Sequence, residues 1–385
     1  MSTPVYLDNN STTAVDPVVF EAMRPYFTET YGNPSNQHHF AGSKAARAVE
    51  KARLQVGTAV GAEPGSVIFT SGATESNNLA ILGICRLWQS MPGHIVTSAI
   101  EHKAVIEPCR HLEAAGWKVT FLLPDSKGLV DWHRVEDAIT QDTALVSIMA
   151  ANNEVGTLQP VERIGEVCER RGVLFHCDAA QALGRIPVDV ALWNVDLLSL
   201  SAHKAYGPKG VGALVIRERR KTEVLTPLAF GGGQESGIRP GTLPVPNIVG
   251  FGAAAELASA NLKDEPIRLR SLRDELLSRL MDSCPSLVVH GQPANTLPGL
   301  LSVGFPGVNG DEFLFALHDV AISQGAACTA GSPEPSHVLT AMGIGYDLAR
   351  SSFRFGIGRF TTQKDIVRAA TEVDRVLSLL SFGRC

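Results

Sequence analysis

Short apolar runs, each ending in small or polar residues, alternate with longer helix-like segments from about residue 66 onward. The runs occur in the stretches SVIFTSGATESNNLAILGI, HIVTSAIEHKAVIEPCRHL, ALVSIMAANNEVG and VLFHCDAAQALG. This alternation predicts βα units around a largely parallel sheet. The polar residues directly follow each apolar run, at the carboxyl end of a predicted strand, which is where open α/β sheets bind ligands. We therefore expect a ligand site at this edge of the sheet.

The sequence changes in character near residue 260, where the charged helical stretch ANLKDEPIRLRSLRDELLSRLMDS begins. A predicted strand, GLLSVGF, follows it. The terminal helix comes last, and there Ile366, Ala370 and Val373 recur on one apolar face that packs inward. We predict a large domain over 15–260 and a small domain that combines 1–14 with 261–385.

The composition is that of a globular protein that acts on small molecules. Of the 385 residues, 44% are hydrophobic, and the formal net charge of −5 gives no basis for direct nucleic-acid binding. The seven cysteines lack metal-type C-x-x-C spacing, which predicts reduced thiols, a cytoplasmic location and no metal site. Because the N-terminus lacks signal-peptide features and no apolar run approaches the roughly 18 residues of a membrane helix, we expect no membrane association.

A lysine and an aspartate each follow a predicted strand. The segment VDLLSLSAHKAYGPKGVGALVI brings Ser201, His203 and Lys204 from a strand into a glycine-rich turn. A lysine at such a junction is ordinarily a solvated surface residue. However, Asp178 follows the run VLF at the end of another strand. A lysine that forms a Schiff base and a carboxylate that pairs with a pyridinium nitrogen are typical of a pyridoxal phosphate site.

Two further segments reach the same edge of the predicted sheet. In TSGATESNN, a glycine turn is followed by Thr74 and Glu75 at the start of a helix, whose free N–H groups and dipole favour an anion such as phosphate. An ordinary βα turn with a capping threonine gives the same pattern. His102 follows the strand HIVTSAI and is either structural or placed to stack on a ring or to carry protons.

Ten motifs occur in a fixed order along almost the whole chain: YLDNNSTT, YGNPSN, TSGATESNN, EHKAV, NNEVG, DAAQ, SAHKAYGPKG, GGGQESGIRPGTLPV, ACTAGSPEPSHVL and RFGIGRFT. Together they resemble the cysteine desulfurases of the class-V aminotransferase family, the nitrogen-fixation and iron–sulfur-cluster branch of the fold-type I pyridoxal phosphate enzymes. The resemblance implies an α/β large domain with a mainly parallel seven-stranded sheet flanked by helices. It also implies a smaller α+β C-terminal domain and a homodimer.

The resemblance also implies roles for individual residues. Lys204 matches the Schiff-base lysine, Asp178 the partner of the pyridinium nitrogen, and His102 the residue that stacks on the ring. The other implied cofactor contacts are Asn153 and Gln181 at the phenolic oxygen, Ala73, Thr74, Ser201 and His203 at the phosphate, and Thr242 at the phosphate of the neighbouring subunit. Asn33 and Arg354 match the clamp for the substrate carboxylate, a task that suits a guanidinium fork.

Cys328 lies in the stretch SQGAACTAGSPEPSHVLTAMG, in the predicted loop at about 323–336. Unpaired cysteines are commonly buried, but the surrounding glycines and prolines favour a loop. By resemblance, Cys328 is the catalytic cysteine that takes sulfur from L-cysteine as a persulfide and leaves L-alanine. The sulfur then passes to an acceptor protein for iron–sulfur cluster assembly or for the modification of tRNA or DNA. We expect Cys85, Cys109, Cys168, Cys177 and Cys284 to be structural.

Two alternatives remain open at this point. A selenocysteine lyase would retain Lys204 and Asp178 but need not use Cys328. A protein whose main role is sulfur delivery to a docked partner, such as a subunit of a DNA phosphorothioation system, would also have these motifs. The charge and the motifs do not encode the sulfur acceptor.

Overall fold

The computed structural model describes residues 4–87, 92–217, 225–325 and 334–382. The strands are β1 (Val5–Tyr6), β2 (Val67–Thr70), β3 (His94–Ser98), β4 (Lys118–Leu122), β5 (Thr143–Ser147), β6 (Leu174–Asp178), β7 (Leu197–Ser201), β8 (Gly212–Ile216), β9 (Val288–Val289), β10 (Leu300–Gly304), β11 (Val320–Ala321) and β12 (Ser352–Gly356). The helices are α1 (Pro17–Met23), α2 (Pro25–Thr28), α3 (Phe40–Ala59), α4 (Ala73–Cys85), α5 (Lys103–Ala114), α6 (Trp132–Ala138), α7 (Val161–Arg171), α8 (Val245–Asn261), α9 (Glu265–Ser283), α10 (Gly310–Ala316), α11 (His337–Ala341), α12 (Tyr346–Arg350) and α13 (Gln363–Phe382). Within these ranges, no helix is both long and apolar enough to cross a membrane.

Seven strands form the main sheet, in the order β2-β8-β7-β6-β5-β3-β4. The five strands from β3 to β7 pair in parallel, whereas β8 runs antiparallel to both β2 and β7. All residues of β2, β3, β5, β7 and β8 are buried. Burial on both faces explains why these strands read as continuous apolar runs. The prediction of a mainly parallel α/β sheet is confirmed.

The connection between β7 and β8 explains the one reversed strand. It joins Ser201 to Gly212 and contains a single 3-10 turn, Ala202–Lys204. Parallel strands need a crossover of a dozen or more residues, so a connection this short makes the two strands antiparallel. As a result, Lys204 lies in a tight turn at the carboxyl end of β7, at the same edge of the sheet as the end of β6.

Helices cover both faces of the main sheet. Residues of α3 and α8 join one face of the sheet in a large apolar core, and α3 and α8 pack against each other. Residues of α4 and α5 form a second apolar cluster with β3, β5 and β8. Because α4 begins three residues after β2 and α5 five residues after β3, the N-termini of both helices lie at the carboxyl edge of the sheet.

The remaining strands build a separate, smaller core. Strand β10 pairs antiparallel with β9 and β12, and β1 pairs in parallel with β11. Helices α9 and α13 contribute apolar residues to this core, including the predicted inward-facing Ile366, Ala370 and Val373. Helix α11 behaves differently, because its Val338 and Leu339 belong to the core of the main sheet.

Candidate active site

A cavity of about 460 Å³ opens at the carboxyl ends of the central strands. Its walls come from the segments that follow β2, β3, β5, β6 and β7, together with residues 10–12 and one side chain of β12. This is the edge of the sheet at which the sequence places the ligand site. Ten of the residues proposed from the sequence line it: Ala73, Thr74, His102, Asn153, Asp178, Gln181, Ser201, His203, Lys204 and Arg354.

Asp178 is the last residue of β6 and is almost fully buried. Its Oδ2 accepts a hydrogen bond of 2.7 Å from Nδ2 of Asn77, and its Oδ1 accepts one of 2.9 Å from the backbone N–H of Ala180. Both donors are neutral groups that fix the carboxylate without cancelling its charge. The negative charge therefore remains available to a cationic group in the cavity.

His102 is the N-cap residue of α5. Its Nδ1 accepts a hydrogen bond of 3.1 Å from the backbone N–H of Ala104, so the neutral ring carries its proton on Nε2. Burial lowers the pKa of His102, and the positive charge of Lys204 lowers it further, against the opposing effect of Asp178. The ring is therefore neutral at physiological pH. An uncharged aromatic ring that borders the cavity suits stacking on a planar ligand.

The turn before α4 has the features of an anion site. Gly72 is the N-cap residue, with φ of +150°, and a Cβ built on it would meet nothing within 4 Å. The thirteen-residue helix α4 then points its free N–H groups at the cavity. Ser201 adds a buried Oγ that has no hydrogen-bond partner among the described residues. Because buried hydroxyls are ordinarily satisfied, this oxygen indicates a polar ligand.

His203 and Lys209 border the same part of the cavity. The Nδ1 of His203 lies 3.1 Å from Oγ1 of Thr12. Burial lowers the pKa of His203 to about 4, and the positive charges of Lys204, Lys209 and Arg185 contribute. The imidazole is therefore a neutral hydrogen-bonding group, and the positive charge at this end of the cavity comes from the lysines.

Arg354 reaches the cavity from β12, in the smaller core. Its Nη1 donates 2.6 Å to the backbone carbonyl of Asn153, and its Nη2 donates to Oδ1 of Asp8 at 2.8 Å and to Oγ of Ser11 at 2.6 Å. The buried Nε has no acceptor among the residues that the structure describes. The guanidinium is thus held in place by two terminal nitrogens and keeps one donor for a further acceptor.

Three residues proposed from the sequence are not part of the described cavity. Asn33 is exposed, and its Oδ1 accepts from the backbone N–H of Ser35 at 3.0 Å. Thr242 is also exposed and lines no part of this cavity in the single chain. Cys328 lies outside the described residues, as does most of its predicted loop.

The sequence-based assignment omits several polar side chains around the cavity, among them Asn77, Asn10, Lys209 and Arg185. Asn77 lies within TSGATESNN, and Asn10 within YLDNNSTT, where its Nδ2 donates to Oε1 of Gln181 at 3.2 Å. Both belong to motifs that already indicate the site, so the sequence does carry a signal for them. Arg185 has no such signal, because it follows DAAQ in a stretch that reads as ordinary connecting chain. It donates to both Gln181 and the backbone of Lys204.

The other described cysteines lie away from the cavity. Cys85, Cys109, Cys168 and Cys177 are buried. Burial raises the pKa of each of these thiols, in the case of Cys109 to about 12. Such thiols are poor nucleophiles at neutral pH, because the thiolate is the reactive form. They act as small apolar core residues, as the sequence predicts, and Cys284 is half-buried.

Comparison with known proteins gives a consistent assignment. The family model of the class-V aminotransferases matches residues 5–368. A cysteine desulfurase of Rattus norvegicus is 48% identical over 94% of this chain and 80% of its own length. The cysteine desulfurase IscS of Rickettsia africae is 47% identical over 95% of this chain and 89% of its own.

Solved structures agree with the sequence relatives. A NifS-like protein superposes with a TM-score of 0.91 at 38% identity, over 98% of this chain and the whole of the other. A structure described as SspA in complex with cysteine superposes with a TM-score of 0.82 at 40% identity, over 93% of this chain and 99% of the other.

Proposed function

This chain belongs to the class-V aminotransferase family, and we propose that it is a cysteine desulfurase that converts L-cysteine to L-alanine with pyridoxal phosphate as cofactor. The observation that carries the proposal is the convergence of three residues in one cavity: Asp178 ends β6, Lys204 lies in the turn after β7, and Arg354 belongs to β12. The names of the relatives support the same activity.

The residues around the cavity fit pyridoxal phosphate. The unpartnered Oγ of Ser201 and the N-terminus of α4 suit the phosphate. Asp178, fixed by two neutral donors, suits a pyridinium nitrogen, and neutral His102 suits the face of the ring. When bound, the cofactor supplies an electron sink for the bond changes at the substrate's α-carbon.

The chain's own groups divide the remaining work. Lys204 would hold the cofactor in the absence of substrate, and its amine would take the proton from the substrate's α-carbon and return a proton to the product. Gln181 and Asn153 border the cavity where they can hydrogen-bond the ring oxygen. Arg354 binds the substrate carboxylate through the donor that has no acceptor among the described residues. Asn33 joins this clamp only if the segment that carries it moves toward the cavity.

Cys328 accepts the sulfur. Its thiolate attacks the sulfur atom of bound cysteine, the new S–S bond forms as the C–S bond breaks, and the electron pair of the C–S bond remains with the carbon side. Protonation of that carbon completes alanine, and the sulfur remains on Cys328 as a persulfide until an acceptor protein removes it. This transfer of sulfur requires a reactive thiol, and the four buried cysteines among the described residues cannot supply one.

A homodimer completes the site. Thr242 is exposed in the single chain and belongs to the segment GGGQESGIRPGTLPV, which is tied to the large domain by an ion pair of 2.8 Å between Arg239 and Glu75. Since Glu75 lines the cavity, the segment lies beside the proposed cofactor site, which supports a role for it at a subunit interface. Thr242 then contacts the phosphate in the partner's cavity.

The test is a single-turnover experiment with L-cysteine on the cofactor-loaded dimer. The wild type is expected to form one alanine per site, and mass spectrometry is expected to find an added sulfur atom on the peptide that contains Cys328. Cys328→Ala should retain the visible absorbance of the cofactor and lose sulfur release, whereas Lys204→Ala should lose the lysine-linked absorbance. Cys284→Ala is the matched control and should behave as wild type.

Two results would contradict the proposal. One is unchanged sulfur release from cysteine by Cys328→Ala. The other is lysine-linked absorbance that persists in Lys204→Ala. Parallel reactions with selenocysteine separate the lyase alternative, since a selenocysteine lyase would release selenium from that substrate without needing Cys328.

A further inference from the structure

Arg185 lies behind the cavity and touches three parts of the site from the rear. Its Nη1 donates to Oε1 of Gln181. Its Nη2 donates to the backbone carbonyl of Asn9 at 2.8 Å and to that of Lys204 at 3.2 Å. Arg185 does not line the cavity itself. One guanidinium therefore joins the N-terminal segment, a predicted cofactor contact and the lysine turn.

The hydrogen-bond partners of Arg185 are unusual for a half-buried guanidinium. Among the described residues its hydrogen-bond acceptors are one side-chain amide and two peptide carbonyls, all neutral. Burial lowers the pKa of Arg185, as does the charge of Arg354, while Tyr206 and Glu265 oppose this effect. Even partial burial of a cation that is hydrogen-bonded only to neutral groups carries a desolvation cost that no hydrogen-bonded opposite charge offsets. Stability alone gives little reason for this arrangement.

The guanidinium determines which end of the Gln181 amide faces it. A guanidinium carries donors only, so the atom of Gln181 that it contacts must be the oxygen. The Nδ2 of Asn10 donates to the same oxygen at 3.2 Å, which requires the same orientation. The Nε2 of Gln181 then lies on the other side, where it donates to the backbone carbonyl of Asn10 at 2.9 Å. Its second N–H remains for the cavity that Gln181 lines.

We propose that Arg185 is a positioning residue that keeps the Gln181 amide turned so that an N–H, rather than the oxygen, faces the ring oxygen of the bound cofactor. It also holds the carbonyl of Lys204 and so fixes the turn that carries the lysine. This inference rests on the proposed function only in its choice of pyridoxal phosphate as the ligand. Without Arg185, the Gln181 oxygen loses a hydrogen bond, and the free-energy difference between the two flipped orientations of the amide becomes smaller.

The experiment is a double-mutant cycle on the cofactor-loaded dimer with Arg185→Met, Gln181→Met and both together. The readout is the pH midpoint at which the visible absorbance of the lysine-linked cofactor titrates. A donor to the ring oxygen competes with the neighbouring linkage N–H for that oxygen. Its loss makes the linkage proton harder to remove, and so each single variant should raise the midpoint by about one unit.

The double variant decides whether Arg185 acts through Gln181. If it does, Arg185→Met should add little further shift once Gln181 is methionine, because groups that share one hydrogen bond are not additive. Additive shifts, or no shift in Arg185→Met while the cofactor remains bound, would overturn the inference. Arg185→Lys keeps the charge but not the planar fork, and an intermediate midpoint is expected for it.

Two controls keep the result interpretable. Urea unfolding of the cofactor-free variants detects a general loss of structure. If Arg185→Met does not fold, the same cycle with Arg185→Lys replaces it, and equal shifts in both Gln181 backgrounds would again overturn the inference. Sulfur release from cysteine is measured separately. A wild type that forms no alanine from cysteine would refute the proposed function while leaving the titration cycle, and with it the role of Arg185, intact.

Discussion

Glu235 is held in a buried ion pair that anchors the segment leading to Thr242. Its side chain is 1% exposed, and its two oxygens accept from Nη2 and Nη1 of Arg53 at 2.7 and 2.8 Å. The backbone N–H of Phe69, on β2, donates to the same carboxylate at 2.7 Å. The backbone of Glu235 is left-handed, with φ of +48°. This unfavourable conformation is kept because the three hydrogen bonds hold it.

We predict that Glu235→Gln lowers the free energy of unfolding by about 3 kcal/mol. Loss of one partner of a buried pair costs about 3–5 kcal/mol, and here Arg53 keeps a second, largely exposed partner in Glu50 at 3.2 Å. The lower end applies because the amide oxygen still accepts from Phe69. The matched control is Glu21→Gln, in the pair of Arg24 and Glu21, whose side chains are 67% and 61% exposed. For an exposed pair the expected loss is below about 0.5 kcal/mol.

The assay is equilibrium urea unfolding of the cofactor-free protein, with wild type, Glu235→Gln and Glu21→Gln measured side by side. The predicted difference corresponds to roughly a hundredfold change in the unfolding equilibrium constant. If Thr242 contacts the phosphate across a dimer as proposed, cofactor affinity should also fall for Glu235→Gln, because the segment that carries Thr242 loses its anchor. Equal and small losses for both variants would refute the reasoning that links burial to the strength of this pair.

Three further predictions concern residues of the main sheet and its edge. Burial raises the pKa of Glu101 in the folded chain to about 8, from 4.5, so wild-type stability should decline as the pH rises through that window. The decline in the wild-type free energy of unfolding should be at most about 5 kcal/mol, and Glu101→Gln should abolish it. Urea unfolding of both proteins across this pH range tests the prediction, and equal pH dependence of the two proteins would contradict it. Cys109, whose pKa is near 12, should resist iodoacetamide at neutral pH until urea exposes it, as followed by mass spectrometry; fast labelling of the native protein would contradict its burial. Gly212→Ala should cost about 1–3 kcal/mol and weaken cofactor binding, because its Cβ would lie 2.6 Å from Cα of Gly72 in the turn before α4; a cofactor titration that matches wild type would show that the turn adapts.

Much of the fold is predictable because the central parallel strands, β3, β5, β6 and β7, are almost entirely buried. The apolar runs that end at Ser98, Ser147, Asp178 and Ser201 are all strands of the main sheet. The order of the strands is not predictable from these runs, since burial makes them chemically alike. The short connection after Ser201 is a sequence signal for the antiparallel direction of β8. It predicts that direction only if β7 and β8 are known to be neighbours in the sheet.

The site is predictable to the extent that its residues follow strands. Lys204, Asp178 and His102 meet because the carboxyl ends of β7, β6 and β3 share one edge of the sheet. Arg354 is known from the family resemblance alone, because its strand belongs to the other core. Arg185 could not be found from sequence, since its importance comes from the three acceptors that the folded chain brings around it.

The location of Arg354 has a consequence for how substrate choice could change. The guanidinium extends from β12 in the smaller core, while Asp178 ends β6 of the main sheet and Lys204 lies in the turn after β7. Mutations that loosen only the smaller core would therefore preserve binding of the proposed cofactor and weaken binding of the amino-acid substrate. Selection could in this way change the range of accepted substrates while Lys204 and Asp178 stay unchanged.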